Sequence, residues 1–182
     1  YKPIESPLPN FNILEELNSK PREKCIASHN FYISAKVWSQ QIGRHISWGR
    51  KSHENIVEQG GLLLGHTYFD SQENLHYGIV TKAISGDLAV GNPAYLEMNH
   101  ETWKEMLDAA DKFIDNTDTE LQIIGWYHTH PNNLSVFMSG TDMGTQRTFF
   151  NKDWQFAVVI NPHRQIWRAF FGNQAHECEG YV

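Results

Sequence analysis

The sequence predicts a single mixed α/β domain, and three observations support this fold class. The chain has 182 residues, a length typical of one domain that buries a substantial core. Hydrophobic residues make up 40% and charged residues 20%, a globular balance that excludes a disordered or fibrous chain. Strand-like segments interleave with only two or three long helices, which favours a mixed α/β arrangement.

Two parts of the chain are predicted: an N-terminal lead-in and extension (residues 1–53) that packs on a core domain (residues 54–182). Three of the seven prolines fall in the first nine residues and predict an extended lead-in. A short helix is predicted over Phe11–Ser19 and a strand over Phe31–Val37. The apolar residues of Ala35–Trp48 recur at roughly helical spacing, so the type of that segment stays ambiguous.

The elements of the core domain follow from apolar alternation and from helical spacing. Strands are predicted over Glu58–Asp70, Tyr77–Ile84, Leu121–His130, Trp154–Ile160 and Gln165–Phe171, the last two as antiparallel neighbours. A loop or flap is predicted over Ser85–Pro93, which is rich in Gly, Asp, Asn and Pro. A helix with one apolar face is predicted over Glu101–Asn116. A second helix, Ser139–Asn151, begins with the pattern of a capping box.

Composition excludes several classes of function. The net charge of −6 gives no electrostatic footprint for nucleic acid, and no apolar run approaches the ~20 residues of a membrane span. The two cysteines, Cys25 and Cys178, lie near opposite ends and form no disulfide framework or metal motif. A reducing compartment is therefore expected, and the predicted location is the cytoplasm.

Two histidines at the end of an apolar strand predict a metal site. His128 and His130 are two residues apart, so both imidazoles leave the same face of the sheet. Pro131 follows at once and cannot continue a central strand, which places the pair at a sheet margin. Asp142 comes twelve residues later, one turn into a predicted helix. Two histidines and a carboxylate leave a fourth position for water, as in catalytic zinc sites, where that water has a pKa of about 7.

Hydrolysis at such a site also needs a carboxylate that takes a proton from the water. Glu58 is the candidate, because it begins an otherwise almost wholly apolar strand. A carboxylate in such surroundings usually has an interaction partner or a functional role. Each feature alone has a simpler interpretation. The histidine pair could form the polar face of a strand, Ser139 and Asp142 could only cap a helix, and Glu58 could be a surface residue.

The combination of these features resembles the JAMM motif of the JAB/MPN metalloprotease family. The matching segments are Glu58–Gly65 (EQGGLLLG), His128–Pro131 (HTHP) and Ser139–Asp142 (SGTD). GWYHTHP and FMSGTD are especially similar to bacterial JAB proteins associated with ubiquitin-like conjugation systems. The similarity covers roughly two thirds of the chain, from about Glu54 to Phe171.

The resemblance implies a role for each matching residue. His128, His130 and Asp142 would bind one zinc ion per chain, Glu58 would be the general base, and Ser139 would help hold the oxyanion. The loop between Pro131 and Ser139 is one residue longer than is usual in the family. Insertions in loops cost little, so the ligands should be preserved, whereas the placing of Ser139 is less certain.

The resemblance also implies a fold and a substrate. The fold would be a mixed β-sheet sandwiched by helices, similar in architecture to cytidine deaminases. The reaction would be hydrolysis after the C-terminal glycine of a ubiquitin-like protein, in deconjugation or precursor maturation. The extended tail would bind by strand addition near Ser85–Pro93 and Ala94–Met98. Expected partners are the ubiquitin-like protein with its conjugates, and activating- and conjugating-enzyme-like proteins of the same pathway.

Three alternatives stay open on the sequence. The site could be a zinc hydrolase that acts on a sulfur-carrier protein or a small amide. The chain could be a non-catalytic MPN scaffold, although such relatives usually lack the ligands. The two histidines and one carboxylate could also be the iron(II) site of an oxygenase. The strand at Glu58 and the helix at Asp142 argue against the iron site.

Overall fold

A computed structural model of the chain describes residues 3–9, 28–46, 59–85, 100–116, 121–130, 136–162, 164 and 166–182. These residues form eight strands: β1 (Ile4–Glu5), β2 (His29–Ile33), β3 (Gly60–Asp70), β4 (Leu75–Ser85), β5 (Gln122–Thr129), β6 (Phe156–Asn161), β7 (Ile166–Phe171) and β8 (His176–Tyr181). A π-helical turn, Val37–Ile42, leads into α1 (Gly43–Ile46). The longer helices are α2 (His100–Asn116) and α3 (Gly140–Phe149).

The strands form one mixed sheet in the order β1-β3-β4-β2-β8-β7-β6-β5. The first half of β3 also pairs with β5, so seven of the strands close into a ring, while β1 pairs with the second half of β3. Strand β5, parallel to β6 and antiparallel to β3, is hydrogen-bonded on both sides. Gly125 allows this close pairing, because a Cβ atom there would collide with the carbonyl oxygen of Phe156.

Each face of the sheet is covered by helix. Successive residues of β3 and β6 point to opposite faces, so Leu63 and Val158 join one apolar cluster while Leu62 and Val159 join another. The first cluster includes four apolar residues of the π-helical turn and α1: Val37, Trp38, Ile42 and Ile46. The second includes Trp103, Met106 and Ala110 of α2, together with Phe150 directly after α3. The predicted fold class, a mixed sheet sandwiched by helices, is confirmed.

Most predicted elements are present within a few residues of their expected bounds. The strand predicted over Phe31–Val37 is too long, because β2 ends at Ile33 and the chain is helical from Ala35. The ambiguous segment that follows is helical to Ile46. The predicted helix Phe11–Ser19 and most of the predicted flap Ser85–Pro93 lie outside the described residues, as does Ala94–Met98.

Strand β2 belongs to the interior of the sheet, although it comes from the predicted N-terminal extension. It lies between β4 and β8, parallel to both, and its residues Phe31 and Ile33 are buried. The N-terminal lead-in is also attached to the sheet, because the hydroxyl of Tyr77 in β4 donates hydrogen bonds to the carbonyls of Ser6 and Pro7. The boundary at residue 53 lies outside the described residues and stays a prediction. Among the described helices, none has the length and apolar character needed to cross a membrane.

Candidate metal centre

The two histidines project from the end of β5 toward α2 and α3. His128 shares a sheet face with Trp126, which packs in the same cluster as the α2 side chains. The side chains of His128 and His130 are 2% and 5% exposed. The sequence places the pair at a sheet margin, and it does lie where β5 ends. However, His128 is not on an open edge, because it lies between Gly60 of β3 and Val159 of β6.

Asp142 completes a compact triangle of donor atoms. The distance between Nε2 of His128 and Nε2 of His130 is 3.1 Å. Oδ2 of Asp142 lies 3.0 Å from the first of these nitrogens and 3.1 Å from the second. All three residues are buried. Spacing in the sequence predicted only that the histidines share a face, whereas the packing of α3 on β5 brings the carboxylate to them.

The first turn of α3 holds the carboxylate in place. Ser139 is the N-cap residue, and its Oγ accepts a hydrogen bond from the backbone N–H of Asp142 at 3.2 Å. In return, Oδ2 of Asp142 accepts the backbone N–H of Ser139 at 3.0 Å. The predicted capping box is therefore confirmed, and the N-terminus of the helix favours a negative charge at this position.

The electrostatic surroundings keep Asp142 ionised. Burial alone would raise the pKa of its carboxyl group. Hydrogen bonds from His128 and His130, attraction to His128 and the N–H of Ser139 outweigh burial, and together they lower the pKa well below its usual range. Asp142 therefore offers a negatively charged oxygen beside two imidazole nitrogens. Together these three atoms are suitable ligands for a divalent cation.

These residues can hold a metal ion. The described His128, His130 and Asp142 each offer one ligand atom, and the three atoms lie together. Hydrogen bonds cannot form along all three edges of the triangle at once. A hydrogen bond between the two histidines requires one Nε2 without a proton, and that nitrogen cannot donate to Asp142. The ionised carboxylate has no proton to donate in return. A cation satisfies all three atoms at once. The edges of 3.0–3.1 Å are close to the separation of about 3.3 Å expected for tetrahedral zinc ligands.

The remaining predicted site residues are placed less completely. Ser139 lies beside the triangle as the N-cap of α3. Glu58 lies outside the described residues, but its neighbour Gln59 is held next to the histidines. The backbone N–H of Gln59 donates to Oγ1 of Thr129 at 2.8 Å, and the N–H of Thr129 donates to the Gln59 carbonyl at 2.9 Å. The roles predicted for the five site residues stay predictions.

A small cleft of about 120 Å³ leads to the donor atoms. It is lined by Trp103, Trp126, His128, Ser139, Thr141, Asp142 and Thr145. Phe137, two residues before Ser139, is 48% exposed and meets the ring of His130 edge-on, with centroids 5.5 Å apart.

Sequence reasoning missed two residues behind the site. Trp126 stacks on His128, and the side chain of Gln146 in α3 accepts a hydrogen bond from the Trp126 indole. One signal was available, since Gln146 stands one helical turn after Asp142 and therefore faces the same way. The pairing of Gln146 with β5 depends on how α3 packs, which residue spacing does not reveal.

The fold and the donor set define a JAB/MPN-type domain, and comparison with known proteins agrees. Residues 27–153 match the family described as JAB1/Mov34/MPN/PAD-1 ubiquitin protease, and the chain belongs to this family. It is similar to COP9 signalosome complex subunit 5 of Kluyveromyces lactis, with 28% identity over 111 residues. That match covers 60% of this chain but only 27% of the relative, so the chain spans about a quarter of that protein's length. The family resemblance is confirmed, while the bacterial association stays a prediction.

Proposed function

We propose that this chain is a zinc-dependent isopeptidase or peptidase that cleaves after the C-terminal glycine of a ubiquitin-like protein. The proposal is carried by the buried triangle of His128, His130 and Asp142, with edges of 3.0–3.1 Å. It is supported by membership of a family described as a ubiquitin protease. Two imidazoles and a carboxylate are a donor set of catalytic zinc sites, which keep a fourth position open.

In the proposed hydrolysis of an amide bond, the metal site, Glu58 and Ser139 would each have a different role. Bound zinc would supply a water that loses its proton near pH 7 and would polarise the scissile carbonyl. The Glu58 carboxylate would take the proton from the attacking water and deliver it to the leaving amine. Ser139 would donate a hydrogen bond to the carbonyl oxygen as that oxygen becomes negative. A hydroxyl can accept and donate at once, so this role is compatible with its bond from Asp142.

The dimensions of the cleft support a glycine at the scissile bond. The cleft has a volume of about 120 Å³, and two indole side chains are among the residues that line it. Trp103 and Trp126 in its lining are buried and packed edge-on to each other, with ring centroids 4.9 Å apart, so the lining is not free to widen. A chain that ends in small residues can bring its carbonyl carbon to the donor triangle, whereas a bulky side chain beside that carbon would collide with the indoles.

The test is cleavage of a linear fusion between a ubiquitin-like protein and a C-terminal extension. The most suitable substrate is the ubiquitin-like protein encoded beside the gene, if one is present, and ubiquitin otherwise. We expect cleavage directly after the terminal glycine, loss of activity with a zinc chelator, and recovery when zinc is restored. Replacement of that glycine by a large residue should slow cleavage far more than changes in the extension.

Two controls make the result specific. Thiol alkylation should leave cleavage intact, because the proposed mechanism uses no cysteine and Cys178 is buried. Elemental analysis should find about one zinc per chain. Iron as the bound metal would support an oxygenase site instead. Chelator-sensitive hydrolysis of a small amide with no cleavage of any fusion would reject the proposed substrate.

A further inference from the structure

His128 is oriented in an unusual way for a metal-binding histidine. Such a residue normally donates its second ring N–H to a carboxylate, a carbonyl or water, and that bond fixes the ring. Here Nδ1 of His128 is buried and has no hydrogen-bond partner among the described residues. Instead, the imidazole stacks on the indole of Trp126, with ring centroids 4.7 Å apart and planes within 13° of parallel. The plane of Trp126 therefore sets the plane of His128.

The indole of Trp126 is itself anchored by one hydrogen bond. Its Nε1–H donates to Oε1 of Gln146 over 2.6 Å, and both side chains are buried, with exposures of 1% and 0%. Phe150 also stacks on the indole at 5.6 Å. Apolar contacts alone would let the flat ring slide or rotate in its plane. A short buried hydrogen bond restricts this movement, because leaving the indole N–H unsatisfied costs free energy.

Gln146 is in turn held by the main chain. Its Nε2 donates to the carbonyls of Gly172 at 3.1 Å and Gln155 at 3.4 Å, next to β7 and β6. Gln146 thus ties α3 to three strands of the sheet. It also stands four residues after Asp142, on the same face of α3. One helical turn therefore carries both the carboxylate of the donor triangle and the residue that anchors the support of His128.

We propose that Gln146 is a positioning residue of the metal centre, which acts on His128 through the plane of Trp126. The inference rests on the proposed metal site and deepens it. Gln146 is not one of the three donor residues and does not itself line the cleft, and its hydrogen bond to Trp126 links it to the site. Its effect on metal affinity should therefore exceed what its contribution to stability alone would produce.

The test is the affinity for Co²⁺, measured by competition with a chromophoric chelator, together with the visible spectrum of the cobalt protein. Gln146→Met keeps the approximate length of the side chain and removes the acceptor. We expect cobalt affinity to fall about 10–100-fold, the scale of changes behind a metal ligand. We also expect the visible bands to shift, because the spectrum reports the arrangement of the ligands. Val158→Ala is the matched control, since it weakens the cluster on the opposite face of the sheet.

A double-mutant cycle tests the route through the indole. Trp126→Phe keeps a ring that can stack on His128 but has no N–H for Gln146 to accept. If Gln146 acts through Trp126, Gln146→Met should change cobalt affinity little in the Trp126→Phe background, although both proteins lose stability. An equal loss in both backgrounds would overturn the proposed route.

Two further results would overturn the inference and can be told apart. If the unaltered protein binds cobalt but Gln146→Met binds it no more weakly than Val158→Ala does, the positioning role is wrong while the proposed metal site stands. If the unaltered protein binds neither cobalt nor zinc, the proposed function fails, and the positioning role fails with it.

Discussion

The three donor residues are buried, and their donor atoms form one compact group. The donor atoms of His128, His130 and Asp142 have mutual distances of 3.0–3.1 Å, and loss of any one opens the triangle. Each residue could be proposed from the sequence, because a period of two along a strand and a capping pattern on a helix are local features. Their convergence could not, because it depends on where α3 packs.

Removal of one ligand should remove the metal. We expect His128→Ala to lower zinc affinity by on the order of 100-fold or more and to lower the melting temperature of the zinc-loaded protein, because bound metal stabilises the folded state. Elemental analysis after gel filtration and a thermal melt with and without chelator measure both effects. His176→Ala is the matched control, since His176 is exposed on β8. Retention of one zinc per chain in His128→Ala would reject this ligand.

Glu58 should separate catalysis from metal binding. Glu58→Gln keeps the shape of the side chain but cannot take a proton, so turnover should fall about 10²–10⁴-fold. The zinc content and melting temperature should stay at the values of the unaltered protein. Near-normal turnover, or loss of zinc, would show that Glu58 is not the base.

At the level of elements, the junction between the longer loop and α3 gives Ser139 two separable tasks. As the N-cap it holds the backbone N–H of Asp142, and in the proposed reaction it donates to the oxyanion. An N-cap serine replaced by alanine costs about 1 kcal/mol, whereas glycine in that position costs only a few tenths. Neither replacement carries a hydroxyl. The two variants should therefore differ in the stability of the helix end, whereas both lack the hydroxyl that would donate to the oxyanion.

We expect Ser139→Ala and Ser139→Gly to lose turnover to the same extent, and less than Glu58→Gln. Only Ser139→Ala should lose about 1 kcal/mol of unfolding free energy. Steady-state cleavage and urea unfolding of both variants measure the two quantities. If Ser139→Gly kept normal turnover while Ser139→Ala did not, Ser139 would matter as a helix cap and not as a donor.

The strands show which elements a sequence can reveal. Strand β6 reads FAVVIN and is buried throughout, so its apolar run was easily recognised. Strand β8 reads HECEGY and was missed, since its buried positions are Cys178 and Gly180 and the others are polar. Strand β1 has two residues and exists through its pairing with Tyr68 and Phe69. Strands that form because a neighbouring strand pairs with them, and not because of their own apolar pattern, are difficult to predict from the sequence.

At the scale of the whole molecule, the closed order of the strands brings together residues that are distant in the chain. His29 of β2 stacks on Phe171 of β7, with centroids 3.5 Å apart, and on His76 of β4 at 4.8 Å. His176 of β8 packs against the same Phe171. No spacing rule predicts this cluster, because β2 enters the interior of the sheet from a part of the chain predicted to be an extension.

The histidine cluster should make stability depend on pH. Burial lowers the pKa of His29 to about 4, helped by His76 and His176 and opposed by a hydrogen bond with the backbone of Asp153. The ordinary pKa of 6.5 applies to the unfolded chain. Between these two values the unfolded chain therefore binds more protons than the folded chain, and the free energy of unfolding must decrease as pH falls through this window. Below about pH 4 the contribution of His29 becomes constant.

We expect the unaltered protein to lose on the order of 1–2 kcal/mol from this histidine between pH 7 and pH 4, allowing for partial solvent screening of the charge. His29→Phe can keep the stack on Phe171 and has no group that titrates, so its unfolding free energy should decrease less over the same range. His66→Phe, a change outside the rings that stack on His29, should keep the original pH dependence. Urea unfolding at pH 7, 6, 5 and 4 in the presence of a chelator measures each slope without a contribution from bound metal. Parallel curves for His29→Phe and the unaltered protein would mean that His29 takes up its proton as readily in the folded sheet as in the unfolded chain.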